Sequence, residues 1–140
     1  MITEKEYLTI VIADDDADDR EFVMKALKEA NIIHKLFEVV DGFQLVQLLE
    51  NRGKNDLSDK EPDLVFLDLN MPKVDGFKAL QHIKKSLNLK NIPVYILSTS
   101  GDKFHMEKAI NLGADGYYRK STKFAEIVTM VSEVCGRHNN

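Results

Sequence analysis

The sequence predicts an α/β fold of the doubly wound type, a parallel five-stranded sheet covered by helices on both faces. Two observations carry the prediction. Apolar runs alternate strictly with segments of helical period, five of each, and a chain built that way returns each strand to the sheet through a right-handed crossover. The first, third and fourth runs, LTIVIA, LVFLDL and VYILS, are almost continuously apolar, as strands buried on both faces must be. At 140 residues, 44% hydrophobic and 30% charged, the chain has the size and balance of one ordinary globular domain.

Leu8 to Ala13 reads as the first strand, and the following helix runs from about Ala17 to Ala30 with Phe22, Val23, Ala26, Leu27 and Ala30 on one face. His34 to Val40 is the second strand, with Asp41-Gly42 as its turn, and Phe43, Val46, Gln47 and Leu49 sit in the next helix, which ends near Arg52-Gly53. The polar stretch Asn51 to Asp63 is a surface loop. Leu64 to Leu69 is the third strand, after which Phe77, Leu80 and Ile83 mark the inward face of a helix from about Gly76 to Leu87. Pro93 opens the fourth strand, Val94 to Ser98, and Lys103 to Leu112 is a shorter helix with Gly113 at its end. Gly116 to Arg119 is a brief fifth strand. The last helix, Thr122 to Val134, spaces Phe124, Ile127, Val128, Val131 and Val134 to pack against a sheet.

The formal charge of −4 disfavours general attraction to nucleic acid or anionic lipid. There is no basic stripe, and no Cys/His spacing of the finger type. His34, His82, His105 and His138 are scattered without ligand spacing, and the glycine patterns of nucleotide cradles are absent. The N-terminal MITEKEYLT is not a secretory signal, and no apolar run approaches the roughly 18 to 20 residues that span a bilayer. Cys135 is the sole cysteine, so a reducing cytoplasm is the expected setting.

In a parallel sheet of this kind ligands bind beyond the carboxyl ends of the strands. Strand one ends in Asp14 and Asp15, strand three in Asp68, strand four in Ser98 and Thr99, and strand five in Lys120. Crowded carboxylates repel unless a cation attends them, and an oxygen-rich cluster suits Mg²⁺. Asp68, at the end of the most apolar strand, is the best placed nucleophile, since a carboxylate can accept a phosphoryl group to form an acyl phosphate. Lys120 would pair with a carboxylate before transfer and with phosphoryl oxygen afterwards, and Ser98 would donate once those oxygens exist. Each residue has an ordinary rival. The acidic run Asp14, Asp15, Asp16, Asp18 and Asp19 also serves a helix start, Asp68 a cap before NMPKVDG, Ser98 and Thr99 a loop, Lys120 a solvated surface, and Tyr117 and Tyr118 plain packing.

With VIADDD, LVFLDLNMPKVDG, PVYILSTS and GADGYYRKS in that order, the sequence resembles the receiver domain of two-component response regulators over nearly its whole length. The resemblance implies a flavodoxin-like (βα)5 sandwich with strand order 2-1-3-4-5. It implies that Asp14 and Asp15 hold Mg²⁺ together with Asp68, the phosphoacceptor, and that Asn70 lends the metal its backbone carbonyl. It makes Ser98 the switch hydroxyl, Lys120 the conserved lysine and Tyr117 the aromatic that turns inward when the hydroxyl follows the phosphoryl group. The expected output face is the fourth helix, fifth strand and fifth helix. Ser121 departs from the pattern, where the family generally has a proline, often after a cis bond. The run through Asp18 and Asp19 with the long Asn51 to Pro62 connection looks like the branch of single-domain regulators serving phytochrome-like or other sensor kinases.

The expected function is a phosphoacceptor signalling switch, taking its phosphoryl group from a sensor histidine kinase or a histidine phosphotransfer protein and acting on a downstream protein target. Its catalysis would stop at transfer onto itself and slow self-dephosphorylation. Residues 1–140 are expected to form one receiver domain with no output domain, since only GRHNN follows the last helix. Direct nucleic-acid binding and membrane insertion are not expected, and homodimerisation stays open. The alternatives are a phosphorylation-independent adaptor, an aspartate-nucleophile phosphatase, and a flavin-binding module. DLN at Asp68 lacks the second acid of such a phosphatase, and the aspartates after strand one would repel a flavin phosphate.

Overall fold

The structure, a computed structural model, describes residues 7–51, 61–71 and 75–138. The elements follow in strict alternation: β1 (Leu8–Ala13), α1 (Ala17–Glu29), β2 (His34–Val39), α2 (Gly42–Glu50), β3 (Leu64–Leu67), α3 (Gly76–Lys85), β4 (Val94–Ser98), α4 (Lys103–Asn111), β5 (Gly116–Arg119) and α5 (Phe124–Gly136). The sheet is parallel throughout, in the order β2-β1-β3-β4-β5. Most of the loop expected between Asn51 and Asp63, the Pro72 turn and the last two residues of GRHNN lie outside the described residues.

Alternation along the strands divides the core into two layers. Val11, Ala13, Val65, Leu67 and Ile96 face the side covered by Leu45, Leu49, Leu80, Ile83 and Ala109 of α2, α3 and α4. Ile10, Ile12, Leu64, Phe66 and Leu97 face the side covered by Val23, Leu27, Ile127, Val131 and Val134 of α1 and α5. Strands β3 and β4 are buried at every position, whereas edge strand β2 is half open. That difference explains why His34 to Val39 has the mixed composition HKLFEV.

Four helices begin on an aspartate whose carboxylate accepts from a backbone N–H of the first turn: Asp16, Asp41, Asp75 and Asp102. This satisfies donors that the helix itself leaves orphaned. Asp41, expected as a strand turn with Gly42, is thus the cap of α2. Asn31 (φ 58°) and Gly113 (φ 107°) end α1 and α4 in the left-handed region, with Ile32 N–H donating to Leu27 O and Ala114 N–H to Ala109 O, both at 3.0 Å. Several boundaries shift from the expected ones, these three among them. β3 stops at Leu67, so Asp68 stands outside the strand; α3 stops at Lys85, leaving Leu87 exposed; α5 starts at Phe124 rather than Thr122.

Candidate functional site

Because every strand is parallel and runs into its helix, all five strand ends and all five helix starts share one edge. The ladder continues one residue past the strands there. Asp14 N–H donates to Val39 O at 3.0 Å, Asp68 N–H to Ala13 O at 2.9 Å and Lys120 N–H to Ser98 O at 2.7 Å. Those bonds fix the backbones of Asp14, Asp68 and Lys120 before any side chain is considered. The side chains then meet: Lys120 Nζ lies 2.8 Å from Asp14 Oδ2 and 3.4 Å from Asp68 Oδ2.

Asp14 (2% exposed) and Asp68 (5%) are buried, while Asp15 is exposed at the rim. Carboxylate oxygens of Asp14, Asp15 and Asp68 lie within 4.8 Å of one another. Asp14 Oδ1 accepts from Asp16 N–H at 3.0 Å, Asp68 Oδ1 accepts from Asn70 N–H at 3.3 Å, and Arg20 Nη1 holds Asp14 O at 2.7 Å. Burial pushes Asp68 up to about 6, Lys120 opposes the rise, and the charge of Asp14 adds to it. Burial would likewise depress the Lys120 ammonium, but its hydrogen bonds to Asp14 and Asp19 and the charges of Asp14 and Asp68 outweigh that and hold it above the ordinary lysine value. One ammonium therefore serves several acids, and a small hard cation is what this oxygen set would take in addition.

Ser98 is fully buried at the end of β4, and its Oγ accepts from Ser100 N–H at 3.1 Å. Thr99 is exposed. Tyr117 packs on the α2–α3–α4 side, Tyr118 on the other, and the Tyr117 hydroxyl donates to Ser100 O at 2.8 Å. Ser98 at the end of β4 is thus joined through its carbonyl to the Lys120 backbone, and Ser100 after it to the β5 aromatic. The Lys120–Ser121 bond is trans, since the described residues contain no cis peptide. Ser121 Oγ donates to Glu126 and accepts from Lys123 N–H at 3.0 Å, organising the start of α5, where Lys123 itself offers no side-chain cap.

Two participants escaped the sequence reading. Asp19, noted only as part of an acidic run, lies 2.8 Å from Lys120 Nζ. Its signal was the helical period: it precedes buried Val23, Ala26 and Leu27 by four, seven and eight residues on α1. Gly76 allows α3 to start against the Asp68 loop, where a Cβ would stand 2.4 Å from Leu69 Cα and 2.5 Å from Asp68 O.

The family model of the response regulator receiver domain matches residues 10–132. The chain belongs to that family. It is 33% identical over 125 residues to the response regulator Rcp1 of Synechocystis sp., covering 89% of this chain and 84% of that protein. Its fold is similar to the Mn²⁺-bound form of Rcp1, with a TM-score of 0.79, 32% identity and 91% of each chain covered. It is also similar to the phosphorylated cyanobacterial phytochrome response regulator RcpA, with a TM-score of 0.83, 30% identity and 94% of each chain covered. The molecule is accordingly a receiver-type phosphoacceptor switch of two-component signalling, a class that interacts with histidine kinases and downstream targets. Its acidic edge suits a divalent cation. Among the described residues no helix is long and apolar enough to cross a membrane.

Proposed function

We propose that Asp68 is the phosphoacceptor and that Asp14, Asp15, Asp68 and the Asn70 backbone carbonyl hold Mg²⁺. The observation that carries this reading is the buried pair Asp14 and Asp68 sharing the Lys120 ammonium at 2.8 and 3.4 Å. When bound, Mg²⁺ supplies the positive charge that lets a phosphoryl group approach the carboxylates. A carboxylate oxygen of Asp68 attacks phosphorus, the new O–P bond forms as the donor's P–N bond breaks, and the donor imidazole leaves. Lys120, already ionised beside Asp68, pairs with the incoming phosphoryl oxygens. Ser98 gives up the Ser100 N–H and turns its hydroxyl towards them.

Ser100 accepts the Tyr117 hydroxyl, so a shift of the loop after Ser98 changes where Tyr117 is held. Phe104, Met106 and Ile110 on adjoining α4 are exposed, which supports α4, β5 and α5 as the face read by the downstream protein. The donor is a sensor histidine kinase or a histidine phosphotransfer protein. The reading places the protein in the cytoplasm, where the buried free thiol of Cys135 stays reduced, and takes residues 1–140 as one receiver domain. The test is intact mass after incubation with acetyl phosphate and Mg²⁺. One phosphoryl adduct is expected on the wild type and none on Asp68→Ala; equal labelling of both moves the acceptor elsewhere.

A further inference from the structure

We propose that Asp19 is a positioning residue for Lys120, drawing its ammonium towards α1 and so setting how readily it is released to phosphoryl oxygen; this rests on Asp68 being the acceptor. Lys120 Nζ is 2.8 Å from Asp19 Oδ2 but 3.4 Å from Asp68 Oδ2. The resting lysine is therefore held more closely by an acid on the first turn of α1 than by the reacting one. Asp19 lies outside the Asp14, Asp15 and Asp68 trio whose oxygens cluster. It thus remains a partner for the ammonium when a cation takes the other carboxylates. A small cavity lined by Asp14, Asp19, Phe22, Lys120 and Ser121 borders the lysine on its α1 side. Phosphoryl oxygen must win Lys120 from Asp19, and the pair acts as a counterweight on the modified state.

Asp18 provides the control. It stands on the same turn and is exposed, and the ion pairs of Lys120 go to Asp14, Asp19 and Asp68 instead. With saturating Mg²⁺, Asp19→Ala is expected to bind beryllofluoride about threefold more tightly than wild type, the size of effect a partly exposed ion pair supports. Asp18→Ala, which removes an equal charge nearby, should leave binding unchanged. In a Lys120→Met background the Asp19→Ala gain should vanish, since the effect passes through the lysine. In metal-free protein the Lys120 ¹⁵Nζ resonance should move with Asp19→Ala and not with Asp18→Ala. Equal gains from both alanine variants, or a gain that survives Lys120→Met, overturn the assignment while leaving the acceptor reading intact. Failure of the wild type to bind beryllofluoride overturns both.

Discussion

At the scale of single residues, the fold makes Asp68 costly to ionise. Its value of about 6 stands above the ordinary 3.8, so the folded chain binds that proton more tightly than the unfolded chain does. Below 3.8 the group is protonated in both states and costs nothing. As pH rises through 6 the cost reaches its full size, because only the folded state resists ionisation. In chelator at neutral pH, Asp68→Asn is therefore expected to melt higher than wild type. The gap should narrow as the pH falls through about 6 and close towards 3.8. Equal melting curves at neutral pH would mean that Lys120 compensates the burial. The strand-end positions of Asp14, Asp68 and Ser98 were legible from the apolar runs LTIVIA, LVFL and VYIL before them, and that of Lys120 from the brief strand GYYR. The Asp19–Lys120 contact spans 101 residues and exists only because α1 packs beside α5, which no local pattern encodes.

At the scale of elements, the alternation was legible because two-faced burial forces near-continuous apolar runs, while the boundaries were not. Leu69 looks like strand and is buried, yet β3 ends at Leu67 and the chain leaves the ladder after the Asp68 N–H bond to Ala13 O, so that α3 can start against Asp68. Thr122 looks like a helix start, but the hydrogen bonds of Ser121 delay it to Phe124. The opposite edge of the sheet is held by another side chain the sequence did not announce. Lys84 Nζ, near the end of α3, donates to Ile92 O at 2.7 Å and Lys90 O at 3.3 Å and pairs with Asp115 Oδ2 at 3.0 Å; that same oxygen accepts Val94 N–H at 2.8 Å. One ammonium thereby ties α3 to the starts of β4 and β5. Lys84→Met keeps the buried stem but leaves these acceptors unserved, at a cost of about 1.5–3 kcal/mol. In thermal melts that is a fall of about 5–10 °C. Adduct formation on Asp68 should be retained, because the latch lies at the far edge from the site; a lost adduct would show that the two edges are coupled.

At the scale of the whole molecule, the parallel topology gathers at one edge the residues that charge repulsion would keep apart. The chain carries 23 acidic against 19 basic side chains, a small excess spread over the surface, yet three carboxylates approach within 4.8 Å there. Strand order and layer arrangement were legible from alternation and resemblance; the sharing of one lysine among several acids was not, since it needs the finished sheet. The folded state is therefore the one that gathers a cation site, and the unfolded chain disperses it. A ligand that binds only the folded state stabilises it by about 2.7 kcal/mol at a hundred times its dissociation constant. Mg²⁺ should thus raise the melting temperature in proportion to the logarithm of its concentration once above that constant. NaCl at matched ionic strength should not, because screening acts on exposed pairs and leaves a buried site largely untouched. Asp14→Asn removes one buried oxygen charge from the set and should flatten the Mg²⁺ response without abolishing the fold. A wild-type rise that NaCl reproduces, or that Asp14→Asn retains in full, would assign the cation effect to the surface and not to this edge.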